Sequence, residues 1–205
     1  MKKVLSILLC LTMVIGIFAA CSSSGSSAKY VPGKAEGSIF TSEWIGIQYT
    51  KSDDMIYATD EELEEMLDIS ADALYEDEKT GEQLIDYAKA SSVIEMMASS
   101  IYGDNVLLMT EKLPFQNITM EQYIESFQKQ MDGQGTTFDG QTSKTFAGKE
   151  FTQLDYSMDI SGISLYQTYY LYKQENRMVA IIVTYFDEAT REDILDGFAE
   201  YKAEK

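Results

Sequence analysis

The chain has 205 residues, 34 of them acidic and 16 basic, with two cysteines and no histidine, for a formal charge of −18. Such a surface repels nucleic acid, which is held by Lys and Arg neutralising phosphates. Without histidine there is no Ser-His-Asp or Cys-His catalysis and no ordinary zinc ligand set, which leaves carboxylates, hydroxyl–lysine pairs and hard-cation binding.

The first element in chain order is an export signal. Lys2 and Lys3 precede an apolar run from Val4 to Phe18, the order of the n-region and h-region of a secretory signal. The run is too short for a stable span of roughly 20 apolar residues. It closes on Phe18-Ala19-Ala20-Cys21, which resembles the lipobox of bacterial lipoproteins. That resemblance implies cleavage before Cys21 and acylation of its thiol with diacylglycerol. Residues 1–20 are then the signal peptide, and the protein is held by its lipid on the extracytoplasmic face of the bacterial membrane. Losing Lys2 and Lys3 takes the 16 basic residues to 14 against 34 acids, a formal charge of −20. Anionic headgroups repel such a surface, so attachment falls to the acyl chains. Cys10 leaves with the signal and Cys21 is acylated, so no thiol remains for a disulfide, a nucleophile or a metal.

Residues 21–38 are rich in Ser and Gly and read as a flexible tether. The remainder, 39–205, suits one domain with its own core. Phe40–Thr50 reads as one strand with Gly46 at a bulge, and Met55–Ala58 as a short second one. Thr59-Asp60-Glu61-Glu62 has capping-box spacing, and Leu63, Met66, Leu67 and Leu74 follow at helical intervals, giving a helix over 60–76. Residues 77–90 are ambiguous. Val93–Ala98 and Asn105–Glu111 read as strands. Thr119 to Gln122 caps a helix carrying Tyr123, Ile124, Phe127 and Met131, with its end at Gly133. A Gly-rich loop over 133–140 leads to strands at Thr152–Ile160, Tyr166–Lys173 and Met178–Phe186, the last two forming a hairpin. The Met178–Phe186 strand is apolar on both faces and is predicted to be central and doubly covered. A closing helix over Glu188–Lys202 turns Ile194, Leu195, Phe198 and Tyr201 inward. The fold class is α/β of the α+β type, a single α/β/α sandwich with a mostly antiparallel sheet and helices on its faces.

This order of elements resembles the PsbP-like family of α/β/α sandwiches. The resemblance rests on Phe40 to Ile47, Met96-Met97-Ala98 before Val106–Thr110, Thr119 to Ile124, Phe146 to Phe151, and the final strand–helix pair. It implies a docking or accessory role and supplies no catalytic residue. Metal contacts made through His in relatives have no counterpart here.

Candidate sites are few. Asp60-Glu61-Glu62, Glu64-Glu65 and Glu76-Asp77-Glu78 lack the alternating spacing of a calcium loop and read as solvated faces. Asp132 and Asp139 belong to turns. Ser143-Lys144 is too short a motif to indicate nucleophilic catalysis, and with 34 acids no carboxylate pair stands out for glycoside hydrolysis. Methionines 66, 96, 97, 120, 131 and 158 fall on core positions. Asn117-Ile118-Thr119 fits a glycosylation sequon that a bacterial lipoprotein leaves unused. Tyr166, Tyr170 and Tyr172 share one strand face, with Tyr169 opposite; these rings either sit beneath helices with their hydroxyls at the rim or form a surface for a partner.

The reading is a lipid-anchored binding or accessory module without catalysis, cofactor or nucleic-acid partner. It joins the membrane through acylated Cys21 and docks to a cell-surface protein or envelope component. A carboxylate-based hydrolase of envelope polymers, or a lipoprotein that binds a cation or small ligand, are the alternatives.

Overall fold

A computed structural model describes residues 30–74, 89–132 and 134–203. Cys21 and the acids at 76–78 lie outside these residues, as does most of the ambiguous stretch 77–90. Among the described residues no helix is long and apolar enough to cross a membrane.

Among the described residues eleven strands form two antiparallel sheets. The larger has seven strands in the order β4 (Met55–Tyr57), β5 (Ser92–Ser100), β6 (Asn105–Lys112), β10 (Arg177–Tyr185), β9 (Ile163–Gln174), β8 (Lys149–Ile160) and β7 (Thr137–Phe146). The smaller is β1 (Lys34–Glu36), β2 (Ile39–Ser42), β3 (Ile47–Thr50) and β11 (Phe198–Glu200). Three helices with assigned bounds accompany them: α1 (Asp60–Leu74), α2 (Met120–Met131) and α3 (Glu188–Asp196).

The inner strands of the large sheet are buried on both faces, and the faces have different covers. On one, Met97, Leu107, Met109, Tyr169, Ala180 and Ile182 pack with Leu63 of α1 and with Tyr123, Phe127 and Met131 of α2. On the other, Met96, Val106, Leu108, Tyr170, Val179, Ile181 and Val183 meet Phe40, Ile47 and Tyr49 of the small sheet, Ile194 and Leu195 of α3, and Phe198. The α/β sandwich with an antiparallel sheet stands, with one refinement: the second layer is mainly a small sheet, with α3 beside it. β10 is the central strand that its apolar residues on both faces predict. It pairs with β6 and β9, and only Arg177 at its start escapes full burial.

The departures from the sequence reading have local causes. The opening strand is two strands, because the chain turns at Gly46, whose φ of +78° suits glycine. Phe40 pairs with Tyr49 across that turn. Polar β7 replaces the end of the Gly-rich loop and continues to Phe146 as an outer strand. The closing helix stops at Asp196. A Cβ on Gly197 would lie 2.6 Å from the Tyr49 ring and 2.7 Å from the Thr50 carbonyl oxygen. That close approach swings the chain into β11, so Phe198 reaches the core from a strand. Residues 30–38, assigned to the tether, belong to the folded body, with β1 hydrogen-bonded to β2.

Helix starts follow the capping signals. The Thr119 side chain accepts from the Gln122 amide while the Gln122 side chain accepts from the Thr119 amide. Thr59 and Glu62 exchange the same contacts at α1, and the Thr59 amide and hydroxyl hold the Glu62 carboxyl below its ordinary pKa.

Candidate functional site

The best-defined cleft runs along the margin of the large sheet. β4 is short: it pairs with β5 only at Ala98, Ser99 and Ser100, and the Ala58 amide adds a bond to the Met97 carbonyl. Over Ser92–Met96 no strand among the described residues pairs with β5 on that side. A groove of about 910 Å³ occupies the place of the absent strand. Its floor is Ser92–Met97. One wall is the N-terminal part of α1, including Leu63 and Leu67, and the other is the entry segment Val31–Glu36.

The entry segment is fixed by a polar clasp. A β-bulge interrupts β5 between Ile94 and Met96 and places Glu95 in the bulge. The Glu95 carboxylate accepts the Gly33 amide at 2.8 Å and the Tyr30 hydroxyl at 3.0 Å. The Tyr30 oxygen accepts in turn from the Thr110 hydroxyl at 2.9 Å. The Arg177 guanidinium lies 3.7 Å from the Tyr30 ring centroid and donates to Thr110 Oγ1 at 3.2 Å. Trp44 packs edge-on against the same ring, and its carbonyl accepts from the Gln174 side chain. Glu95 is 7% exposed. Burial raises its pKa, opposed by the Gly33 amide, the Tyr30 and Ser42 hydroxyls and Arg177. Sequence reasoning missed this group, because a single Glu inside an apolar strand carries no pattern of its own.

A second polar network joins α3 to the large sheet. Asp155 accepts from the Thr168 hydroxyl at 2.7 Å and from the Gln153 amide. Arg191 bridges Glu188 at 2.7 Å and Glu192 at 3.0 Å, with Asp155 at 3.8 Å. Lys144 closes on Glu192 at 2.9 Å. These carboxylates are engaged by cations and amides, an arrangement that ties α3 to the sheet. Among the described residues no group of three or more Asp, Glu, His or Cys side chains converges to hold a metal.

The tyrosines share a face as expected, and it is an inner face. Tyr170 is fully buried between Phe146 and Phe151, and its hydroxyl has no hydrogen-bond partner. Burial raises its pKa. Tyr166 and Tyr172 are half-buried: Tyr166 stacks on Tyr185, and Tyr172 lies beneath Lys149. Tyr170 is therefore a core residue, withdrawn from any partner surface because the small sheet and α3 cover that face. Asp60 and Glu64 line the groove, and Lys144 serves the α3 network.

No family model matches the chain, and no curated protein matches it. Among solved structures, cyanobacterial PsbP (CyanoP) from Synechocystis sp. PCC 6803 is 9% identical, covering 87% of this chain and 98% of its own, with a TM-score of 0.48. LpqN, described as involved in cell envelope biogenesis of Mycobacterium tuberculosis, is 10% identical over 76% of this chain and 83% of its own, with a TM-score of 0.39. At these values neither likeness assigns the chain a family or an activity.

Proposed function

We propose that this protein is an extracytoplasmic binding module, anchored by acylated Cys21 and held at a set orientation to the bilayer, that docks a protein or other envelope component. The observation that carries the reading is the clasp on Tyr30. Tyr30 lies nine residue steps after Cys21, and at full extension these reach no more than about 30 Å. The chain enters the fold beside Arg177, at the end of the large sheet where Lys112, Gln174 and Lys149 also lie. That end faces the membrane, and the loops at 101–104 and 161–162 face away. The groove lies beside the anchor chain, since the entry segment forms its wall. The half-exposed parts of Tyr166 and Tyr172 are left as minor contributors to docking.

Trp44 is the single tryptophan and sits at the membrane-facing end. The mature acylated protein in vesicles with headgroup-attached nitroxide should show Trp44 quenching above that of the Cys21→Ser protein mixed with the same vesicles. Cys21→Ser should also lose membrane association and fatty-acid labelling. Equal membrane retention of the two proteins overturns the anchor. Retention of the acylated protein without Trp44 quenching overturns the orientation alone.

A further inference from the structure

We infer that the groove on β5 accepts an extended, basic segment of a partner protein, which adds to the large sheet as an eighth strand. The inference builds on the binding-module reading and names its partner. Backbone geometry comes first. Among the described residues, Ser92–Met96 is β-strand with one neighbour, β6, and none on the opposite side. An extended peptide satisfies such an edge with main-chain hydrogen bonds, while alternate side chains enter flanking pockets. Five residues of strand span about 17 Å, which sets the length of the segment read.

The lining says which side chains fit. The floor and the α1 wall are apolar, with Ile94, Met97, Leu63 and Leu67. The rim carries exposed Glu36, Asp60 and Glu64, against Lys34 alone. A segment alternating apolar and basic residues complements both, with its apolar side chains toward α1 and its cations on the rim. Charge also discriminates against a second copy of this chain pairing edge to edge, because each copy carries −18. The opposite margin differs: between Phe138 and Phe146, β7 reads Asp-Gly-Gln-Thr-Ser-Lys-Thr, a polar stretch that is mostly exposed.

The test uses the Cys21→Ser full-length chain in solution, so that its outcome is independent of the anchor. The probes are acetyl-(Lys-Val)₃-Lys-amide, the Glu-Val counterpart, and a Lys-Val peptide N-methylated at alternate residues, which keeps its charge and loses strand hydrogen bonding. The Lys-Val peptide should bind at least tenfold more tightly than either control, with affinity falling as salt rises. Asp60→Lys together with Glu64→Lys should weaken it about tenfold, and both positions are exposed, so the fold is spared. The N-methylated peptide, tested on the intact protein, separates strand hydrogen bonding from charge. Equal binding of the N-methylated peptide, equal binding of the Glu-Val peptide, or concentration-dependent dimerisation by sedimentation that the Lys-Val peptide does not reverse would each overturn the inference.

Discussion

The two margins of the seven-stranded sheet solve one problem in opposite ways. An exposed strand edge invites pairing with other chains, and proteins blunt it with polar residues, charge and bulges. β7 does all three: it reads Thr-Phe-Asp-Gly-Gln-Thr-Ser-Lys-Thr-Phe, breaks register between Phe138 and Gly140, and sends Lys144 to Glu192 of α3. At the other margin, β4 covers three residues of β5 and stops. There the unpaired stretch is flanked by apolar side chains and a groove, and its bulge serves to aim Glu95 at the entry segment. One edge is closed to partners by its composition. The other is open and shaped, which is the difference expected between an edge protected from association and an edge used for it.

The largest test of this contrast sets the centre of the sheet against its polar edge. Ile181→Asp puts an unpaired charge at a fully buried position of β10, at a cost of several kcal/mol against a total stability of about 5–15 kcal/mol. Circular dichroism should show an unfolded chain. Asp at exposed Thr142 of β7 should shift chemical-denaturation stability by no more than about 0.5 kcal/mol. A folded Ile181→Asp protein would remove the central-strand assignment.

Tyr170 comes next. Truncation to Ala should lower stability by about 3–5 kcal/mol, as for other large buried rings. Tyr170→Phe should raise it by about 1 kcal/mol, since the buried hydroxyl has no partner. Loss of stability in the Phe variant would mean that the hydroxyl is satisfied.

A smaller effect separates stability from the open edge. Thr119→Ala removes the cap of α2, which packs through Phe127 against Tyr156 and Tyr169 on β8 and β9, away from the groove. Stability should fall by about 1 kcal/mol, while affinity for the Lys-Val peptide stays unchanged. Weaker peptide binding would couple the two margins.

The smallest expected effect is a pH slope. The folded-state pKa of Glu95 is raised, chiefly by burial, so its ionisation disfavours the folded state. Relative to Glu95→Gln, the native protein should lose stability as pH rises from the ordinary carboxylate pKa through the raised value, and the difference should level off above it. A gain of stability over that window would show that the Gly33 and Tyr30 hydrogen bonds outweigh desolvation.

Legibility in the sequence followed burial. β10, β6 and the alternating stretch of β8 are readable because double or single coverage writes itself into apolar runs and alternation. The helices at 60 and 120 announce themselves through Thr59 and Thr119. β7 escapes, because a protected edge strand must be polar and so resembles a loop. β1 escapes for the same reason, with Lys34-Ala35-Glu36 fully exposed. The break after Asp196 is hidden because Ile194, Leu195 and Phe198 keep helical spacing whether or not the helix continues. Only the packing of Gly197 against Tyr49 ends it. The groove was not legible at all. It arises from the brevity of β4 and the docking of residues 30–36, both properties of pairing across the chain.

The place of β11 also sets the order in which the molecule can be made. The hairpins joining β7, β8, β9 and β10 close between near neighbours in sequence, whereas β11 pairs Phe198 with Tyr49 and Glu200 with Ile47. A contact spanning about three quarters of the chain is among the slowest to form. The pairs β1–β2 and β2–β3 are local, so it is the last edge of the small sheet that waits on this long-range contact. Phe198 enters the same buried cluster as Ile181 and Val183, so the strand that pairs over the longest stretch of chain also completes the cover on that side of the core.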